Sequence, residues 1–346
     1  MITPLLSVVV ISHNQKEVLK RCIDSILAQI TTFQVEVIVS DDRSTDGTRE
    51  MLQKEYEGKV IATFFNSDEY VTSYVLERAA LNRINGLKKA TGKYLIHIDG
   101  DDYFTSTDLF QTMVDRLEEH PECNVCCQNY YSRPYNDLNS EKKPAKPVKL
   151  FSDERILSGA AFLKAEAGIR HNSCFCLRRS DCVKIEHLTS NSYDDIDITL
   201  RYLGNGKVLL LNRCDFVYVQ YTDSSCSTIT KDEKMIVFQS EILDIPLVPS
   251  LAGVIIESHL SSLARMSIVV LKSRRLPRRL IDYCHKFNML MLSDLQEKMS
   301  FLQKMRYSKI LFWSLCALKI PVGRKRLVRK LYQLAVQEEI PSNVII

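Results

Sequence analysis

The chain has 346 residues, 45% of them hydrophobic and 25% charged, with 11 Gly and 10 Pro, which excludes collagen-like, low-complexity and disordered chains. That length suggests roughly two domains and can bury a large core without disulfide or metal staples. Net charge is only +4, but 16 Lys/Arg against 3 Asp/Glu between Lys272 and Lys330 make a basic segment of net +13 on a body of net −9.

In chain order, Leu5 to Ile11 is an apolar, β-branched run interrupted only by Ser7, the pattern of a strand buried on both faces. Glu17 to Ile30 has helical spacing, Val35 to Val39 reads as a second buried strand, and Thr48 to Tyr56 as a helix. Val60 to Phe65 is a third strand, Val71 to Lys89 a long helix ended by Gly92, and Tyr94 to Ile98 a fourth strand. Strand and helix alternate with short connections, which predicts an α/β fold: a mostly parallel sheet with helices on both faces. Asp108 to Glu119 reads as a helix and Asn124 to Tyr131 as a strand. The polar stretch Ser132 to Pro147 reads as a loop, Phe151 to Ala165 as helical and Asn172 to Leu177 as extended. A helix opens at Asp194-Asp195, and Lys207 to Leu211 and Phe216 to Gln220 are two strands. From about Asp232 the pattern is helical throughout. The expected division is 1–230, split near 105 into two halves, followed by a helical basic region 231–346.

The eleven cysteines are odd in number and irregular in spacing. Cys123, Cys126 and Cys127 resemble half of a zinc site, but they sit in a buried-strand pattern and no second close pair completes it. Cys174 and Cys176, two apart, are expected to share one face of a strand. These thiols read as small hydrophobes in a reducing compartment. Met1 to Pro4 carries no basic leader and no apolar run reaches about 18 residues, so the expectation is a cytoplasmic protein without a spanning helix.

Ligands of open α/β sheets bind beyond the carboxyl ends of the strands. Three such ends carry polar chemistry here: Ser12-His13-Asn14, Asp41-Asp42, and Asp99-Gly100-Asp101-Asp102. Carboxylates crowded on a Gly-containing turn suit a hard divalent ion, Mg²⁺ or Mn²⁺, shared with phosphate oxygens; the plain alternative is a solvated turn before the next helix. For Asp42 the alternative is an Asx turn before Ser44. No GxGxxG or GxxxxGK[ST] occurs, so dinucleotide and P-loop chemistry have no support.

Ser7 to Asn14, Val35 to Thr48 and Ala90 to Asp102, in that order and spacing, resemble the family-2 glycosyltransferases of GT-A fold, over about residues 5–225. The resemblance implies a nucleotide-sugar donor, a UDP-sugar above all, held by Ile11, Ser12, Asn14, Asp42, Arg83 and Asp99. Ile11 and Ser12 would lie against the base, Asp42 would accept a hydrogen bond from it, and Asp99 would meet the ribose. Asp101 would ligate Mn²⁺ or Mg²⁺ on the diphosphate, with Asp99 a second candidate ligand. Asp195 falls at the position of the catalytic base, which takes the acceptor hydroxyl's proton during inverting attack; helix capping is its structural alternative. The chain departs from the pattern in three places: His13 stands where many members have Tyr, the segment between Asn66 and Gly86 is longer than usual with its arginine element reduced to Arg83-Ile84-Asn85-Gly86, and Gln220 to Ser224 replaces a His-bearing segment.

Family habit and the basic segment imply a lipid-diphosphate-linked saccharide acceptor in surface-polysaccharide or O-antigen synthesis, at the inner face of the membrane. Ile310 to Leu318, apolar on nearly every side, is too short to span a bilayer but could lie in its anionic interface. The alternative is a buried helix, with Trp313 packed. Nucleic acid is not an expected partner, since no binding module accompanies the charge. His97 reads as a hydrogen-bonded core residue, and His171 and His187 fall in no motif. Two rival readings remain: a haloacid-dehalogenase-like phosphotransferase using Asp99 and Asp101, and a non-catalytic nucleotide-sugar sensor.

Overall fold

A computed structural model describes residues 4–69, 75–134, 146–148, 152–165, 171–179, 203 and 206–220. The chain divides into two compact units, Met1–Thr228 and Ile229–Ile346, and every described residue lies in the first. Asp194, Asp195, His187, Trp313, the basic segment and the expected helical region all lie outside the described residues.

Among the described residues ten strands form one mixed sheet. Its first half is parallel, in the order β3 (Ile61–Phe65), β2 (Val35–Asp42), β1 (Leu6–Ser12) and β4 (Tyr94–Asp99). The second half continues from β4 through β9 (Phe175–Arg178), β6 (Cys123–Pro134) and β10 (Lys207–Gln220) to β5 (Tyr103–Phe104). There β6 and β10 run parallel, whereas β9 and β5 pair antiparallel with their neighbours. The remaining strands, β7 (Lys146–Val148) and β8 (Arg155–Ser158), flank β6 and β10.

The helices are α1 (Lys16–Leu27), α2 (Thr48–Glu55), α3 (Val75–Leu87), α4 (Leu109–Glu119) and α5 (Gly159–Ala165). In α1, Leu19, Cys22, Ile23 and Ile26 are buried at helical spacing and dock one stripe on the sheet. Each aliphatic side chain so buried contributes roughly 1.5–3 kcal/mol. Helix α3 sits close to β1: a Cβ at Gly86 would stand 2.7 Å from Val9 Cγ1, so only glycine lets the two backbones approach this far. Arg178, on β9, donates to the Leu117, His120 and Cys123 carbonyls and to Tyr94 Oη, closing the carboxyl end of α4 against the sheet.

Several expectations are corrected. Residues 155–158 are a strand rather than the start of a helix, because Arg155–Leu210 and Ser158–Lys207 are partners on the flank of β10. Tertiary pairing there overrides the helical spacing. Strand β6 runs on to Pro134, into the expected loop, and Lys146–Val148 pairs with Tyr130–Ser132; Pro147 suits a strand that has no second neighbour among the described residues. The two strands expected over 207–220 are one strand, kept continuous by bulges at its polar middle. Cys174 closes a 3₁₀ turn, Asn172–Cys174, so only Cys176 belongs to β9, opposite Cys126. None of the seven described cysteines is in a disulfide, and six of them are buried.

Candidate active site

Parallel register brings the three polar strand ends to one edge: Ser12 lies beside Asp41, and Ile11 beside Asp99 on its other flank. Side chains alternate faces along a strand, so the adjacent aspartates Asp41 and Asp42 point to opposite sides of the sheet. Asp41, fully buried, accepts bonds from Ser44 N and Oγ and from Arg49 Nε of α2. It is therefore Asp41, and not Asp42, that makes the turn with Ser44. Asp42 faces α3: its Oδ1 accepts from Ser67 N at 3.0 Å and Arg43 Nε at 3.3 Å, while Arg78 Nε stands 4.0 Å from Oδ2.

The chain leaving these strands is tied loop to loop. Asn14 donates its backbone N–H to Ser44 Oγ at 2.7 Å and accepts Thr45 N–H on Oδ1 at 2.8 Å. His13 Nδ1 meets the Asp42 carbonyl; as that partner can only accept, Nδ1 carries the proton. Asn14 and Arg43 are the non-glycine residues of positive φ among those described, at 51° and 55°. Asn enters this region readily, whereas for an arginine it costs roughly 1–2 kcal/mol. Ser12 is buried, and its hydroxyl has no partner among the described residues.

On β4, Asp99 keeps about a third of its side chain exposed and is held by the buried Arg83 of α3, Nη2 to Oδ1 at 3.0 Å. Arg83 thus reaches the site through Asp99. The turn that follows packs against β1: Gly100 N donates to the Ile11 carbonyl at 2.9 Å, and a Cβ at Gly100 would come within 2.8 Å of that same oxygen. Arg21 of α1 donates to the Asp101 carbonyl at 3.1 Å. Burial, and then the charge of Asp99, push the Asp101 carboxyl up to about 7. A carboxylate pair that still repels with Arg83 on Asp99 and Arg21 beside Asp101 fits a divalent cation held by one or two protein ligands and phosphate oxygens. Among the described residues no three His, Cys, Asp or Glu side chains converge into an all-protein cage.

Asp102, fully buried, reaches across to the second half of the sheet. Its Oδ1 accepts Val219 N–H of β10 at 2.9 Å, and its Oδ2 lies 3.7 Å from His171 Nε2. His171 stands among Phe216, Tyr218 and Tyr130. His97 is buried on β4 without a described partner at either ring nitrogen, contrary to the expected hydrogen-bonded core residue. Burial and then the Arg83 charge hold its pKa well below the ordinary value.

The family model for glycosyl transferase family 2 matches residues 7–185, more than half of the chain. The chain belongs to glycosyltransferase family 2. Membership replaces the phosphotransferase reading of Asp99 and Asp101. Among curated proteins, Rv1520 of Mycobacterium tuberculosis (strain ATCC 25618 / H37Rv), an uncharacterized protein, is 35% identical over 121 residues, 35% of this chain and 34% of that protein. The Escherichia coli UDP-Glc:alpha-D-GlcNAc-diphosphoundecaprenol beta-1,3-glucosyltransferase WfaP is 30% identical over 105 residues, 30% of this chain and 38% of WfaP. The matched stretch therefore spans about a third of these relatives' length. Among solved structures, Staphylococcus aureus TarS 1–349 in complex with UDP-GlcNAc has a TM-score of 0.52 at 15% identity, covering 97% of this chain and 88% of that one. That likeness shows the α/β fold shared with this family-2 chain.

Of the residues singled out from sequence, Ile11, Ser12, Asn14, Asp42, Arg83, Asp99 and Asp101 gather around one sheet edge of this family-2 chain. Asp195 lies outside the described residues. Sequence reasoning missed the polar stripe of α3. Arg78 bonds Ser67 Oγ; Asn82 bonds Ser40 and the Ser12 carbonyl; Asn85 bonds Ser40 and Thr63. Their i, i+4, i+7 spacing inside an otherwise sheet-facing helix was the available signal. Asp102 had none, because its partner lies on a strand far along the chain.

Proposed function

We propose that this chain is an inverting glycosyltransferase. It moves a sugar, UDP-hexose being the favoured donor, to a hydroxyl of a lipid-diphosphate-linked saccharide in surface-polysaccharide synthesis. The observation that carries the reading is the meeting of Asp42, Asp99 and Asp101 at the carboxyl edge of β2 and β4, on either side of β1. Asp42 accepts a ring N–H of the base, Ile11 and Ser12 line the base, and Asp99, oriented by Arg83, accepts from a ribose hydroxyl. Asp101, with Asp99, would hold Mn²⁺ or Mg²⁺, and such an ion supplies Lewis-acid stabilisation of the charge that gathers on a leaving diphosphate. An alcohol does not ionise at neutral pH, so Asp195 takes the acceptor's proton as the hydroxyl attacks from the face opposite the nucleotide. Inversion follows from that geometry of attack.

The lipid-linked acceptor is supported by relatives such as WfaP, whose name places a diphosphoundecaprenol saccharide as its acceptor. The basic segment Lys272–Lys330 fits an anionic membrane face. Among the described residues no helix is long and apolar enough to cross a membrane.

The test is a donor screen with labelled UDP-Glc, UDP-Gal, UDP-GlcNAc and GDP-Man, in Mn²⁺ or Mg²⁺, against a synthetic lipid-diphosphate saccharide. One donor should be turned over. Asp195→Asn should retain donor binding and lose about 10²–10⁴-fold in turnover. Binding of a nucleotide sugar with no transfer or release of sugar would favour the sensor reading instead. Loss of donor affinity in Asp195→Asn would move the base elsewhere.

A further inference from the structure

We infer that Arg43 is a positioning residue for the nucleobase end of the donor site, acting through Asp42. The inference rests on the nucleotide-sugar reading above and adds a residue to it.

Arg43 holds φ at +55°, a backbone region that glycine enters freely and a long side chain does not. Strain kept at such a position points to work done by the side chain. Here the guanidinium bridges two carboxylates. Its Nε donates to Asp42 Oδ1 at 3.3 Å, and its Nη1 pairs with Asp68 in the 3₁₀ turn Ser67–Glu69. That same turn sends Ser67 N–H to Asp42 Oδ1 at 3.0 Å. Arg43 therefore staples the turn after β3 to the end of β2, and two donors from different loops converge on one oxygen. With Oδ1 fixed, the carboxylate cannot rotate to exchange its oxygens. Oδ2, which has Arg78 Nε 4.0 Å away, becomes the oxygen that meets the ligand.

A carboxylate oxygen accepts from a ring N–H, which uracil and guanine carry beside a carbonyl. The corresponding ring nitrogen of cytosine or adenine is itself an acceptor. Asp42 can read that difference only if its oxygen is held in place, and Arg43 holds it. A glycine at this position would relax the backbone but leave Asp42 Oδ1 with the Ser67 N–H alone among these two donors.

Strain and positioning predict opposite signs for stability and affinity, and that separates them. Calorimetric titration of the full chain with UDP and with GDP, alongside thermal melts, reads both. Arg43→Gly should weaken the nucleotide that the wild type binds by about tenfold, the scale of one charged hydrogen bond, while its Tm stays level or rises. Arg43→Lys, keeping the charge without the planar fork, should recover part of the affinity. Asp68→Asn, which leaves the backbone and Asp42 untouched, should weaken binding by a smaller factor. Wild-type affinity in Arg43→Gly would overturn the inference while the nucleotide site stood. A wild-type chain that binds neither UDP nor GDP would instead overturn the nucleotide-sugar reading itself.

Discussion

The two halves of the described sheet solve different problems. From β1 to β4 the strands are parallel and in register, and the aspartates of the site sit at or just beyond the ends of strands whose own sequences announce them. From β6 to β10 the pairing is mixed, and β10 shifts register three times along its length. There the important contacts join residues far apart in sequence: Arg213, beside a bulge of β10, holds Asp108 at the head of α4 with bonds of 2.7 and 3.0 Å. The first half makes a binding edge by repetition of one unit, and the second carries its bends in bulges that let one strand serve three partners. The comparison teaches where function is legible. Motifs at parallel strand ends read directly, whereas a bulged strand hides its partners until the fold is known.

The turn Asp99–Asp102 belongs to both halves, and the sharpest ways to test the comparison act on it. Asp101→Ala should remove the carboxylate that the first half offers to a cation. Metal-dependent nucleotide binding should vanish, and transfer should fall by about 10³-fold, the scale of several kcal/mol in transition-state stabilisation. The far-ultraviolet spectrum should not change, since the residue sits on a turn. Full activity in EDTA would break this assignment.

Asp102→Ala cuts the link to the second half. It leaves Val219 N–H buried without its acceptor, at a cost of about 1–3 kcal/mol. Tm should then fall by ~3–10 °C for a domain of this size. If the acceptor rests against the second half and the halves are coupled through this residue, Kd for acceptor should rise more than Kd for nucleotide. Equal changes in both would mean that the residue serves stability alone.

His97 gives the smallest effect and tests the core of the first half. Burial keeps its folded pKa well below 6.5, so below that pH the unfolded chain binds a proton that the folded chain refuses. Stability is then lost as pH falls through 6.5, by up to about 2 kcal/mol at pH 5. His97→Leu lacks that loss. The Tm of the variant minus that of wild type should grow as pH drops from 8 to 5, and a constant difference would show that His97 titrates alike in both states.

Much of the first half was readable because a buried parallel strand needs a nearly continuous apolar run, and such runs at Leu6–Ile11, Val35–Val39 and Tyr94–Ile98, each carrying one polar residue, stand out against polar ends. The spacing Asp99-x-Asp101 likewise exposed a crowded carboxylate turn. Less was readable where tertiary pairing chose between structures of similar local preference: Arg155–Ser158 joined β10 as a strand, and Lys146–Val148 joined β6.

By itself, then, the sequence determined the α/β alternation and which strand ends carry acid, since burial and charge repulsion are properties of neighbouring residues. Tertiary structure alone decided that Asp41 makes the turn while Asp42 faces α3, because alternation assigns faces only once the sheet has a position. It also decided that Arg83 serves Asp99, that Arg43 bends into a strained backbone to hold Asp42, and that Asp102 reaches β10. Those are contacts between elements, and their energies exist only when long loops have already closed to bring the partners together.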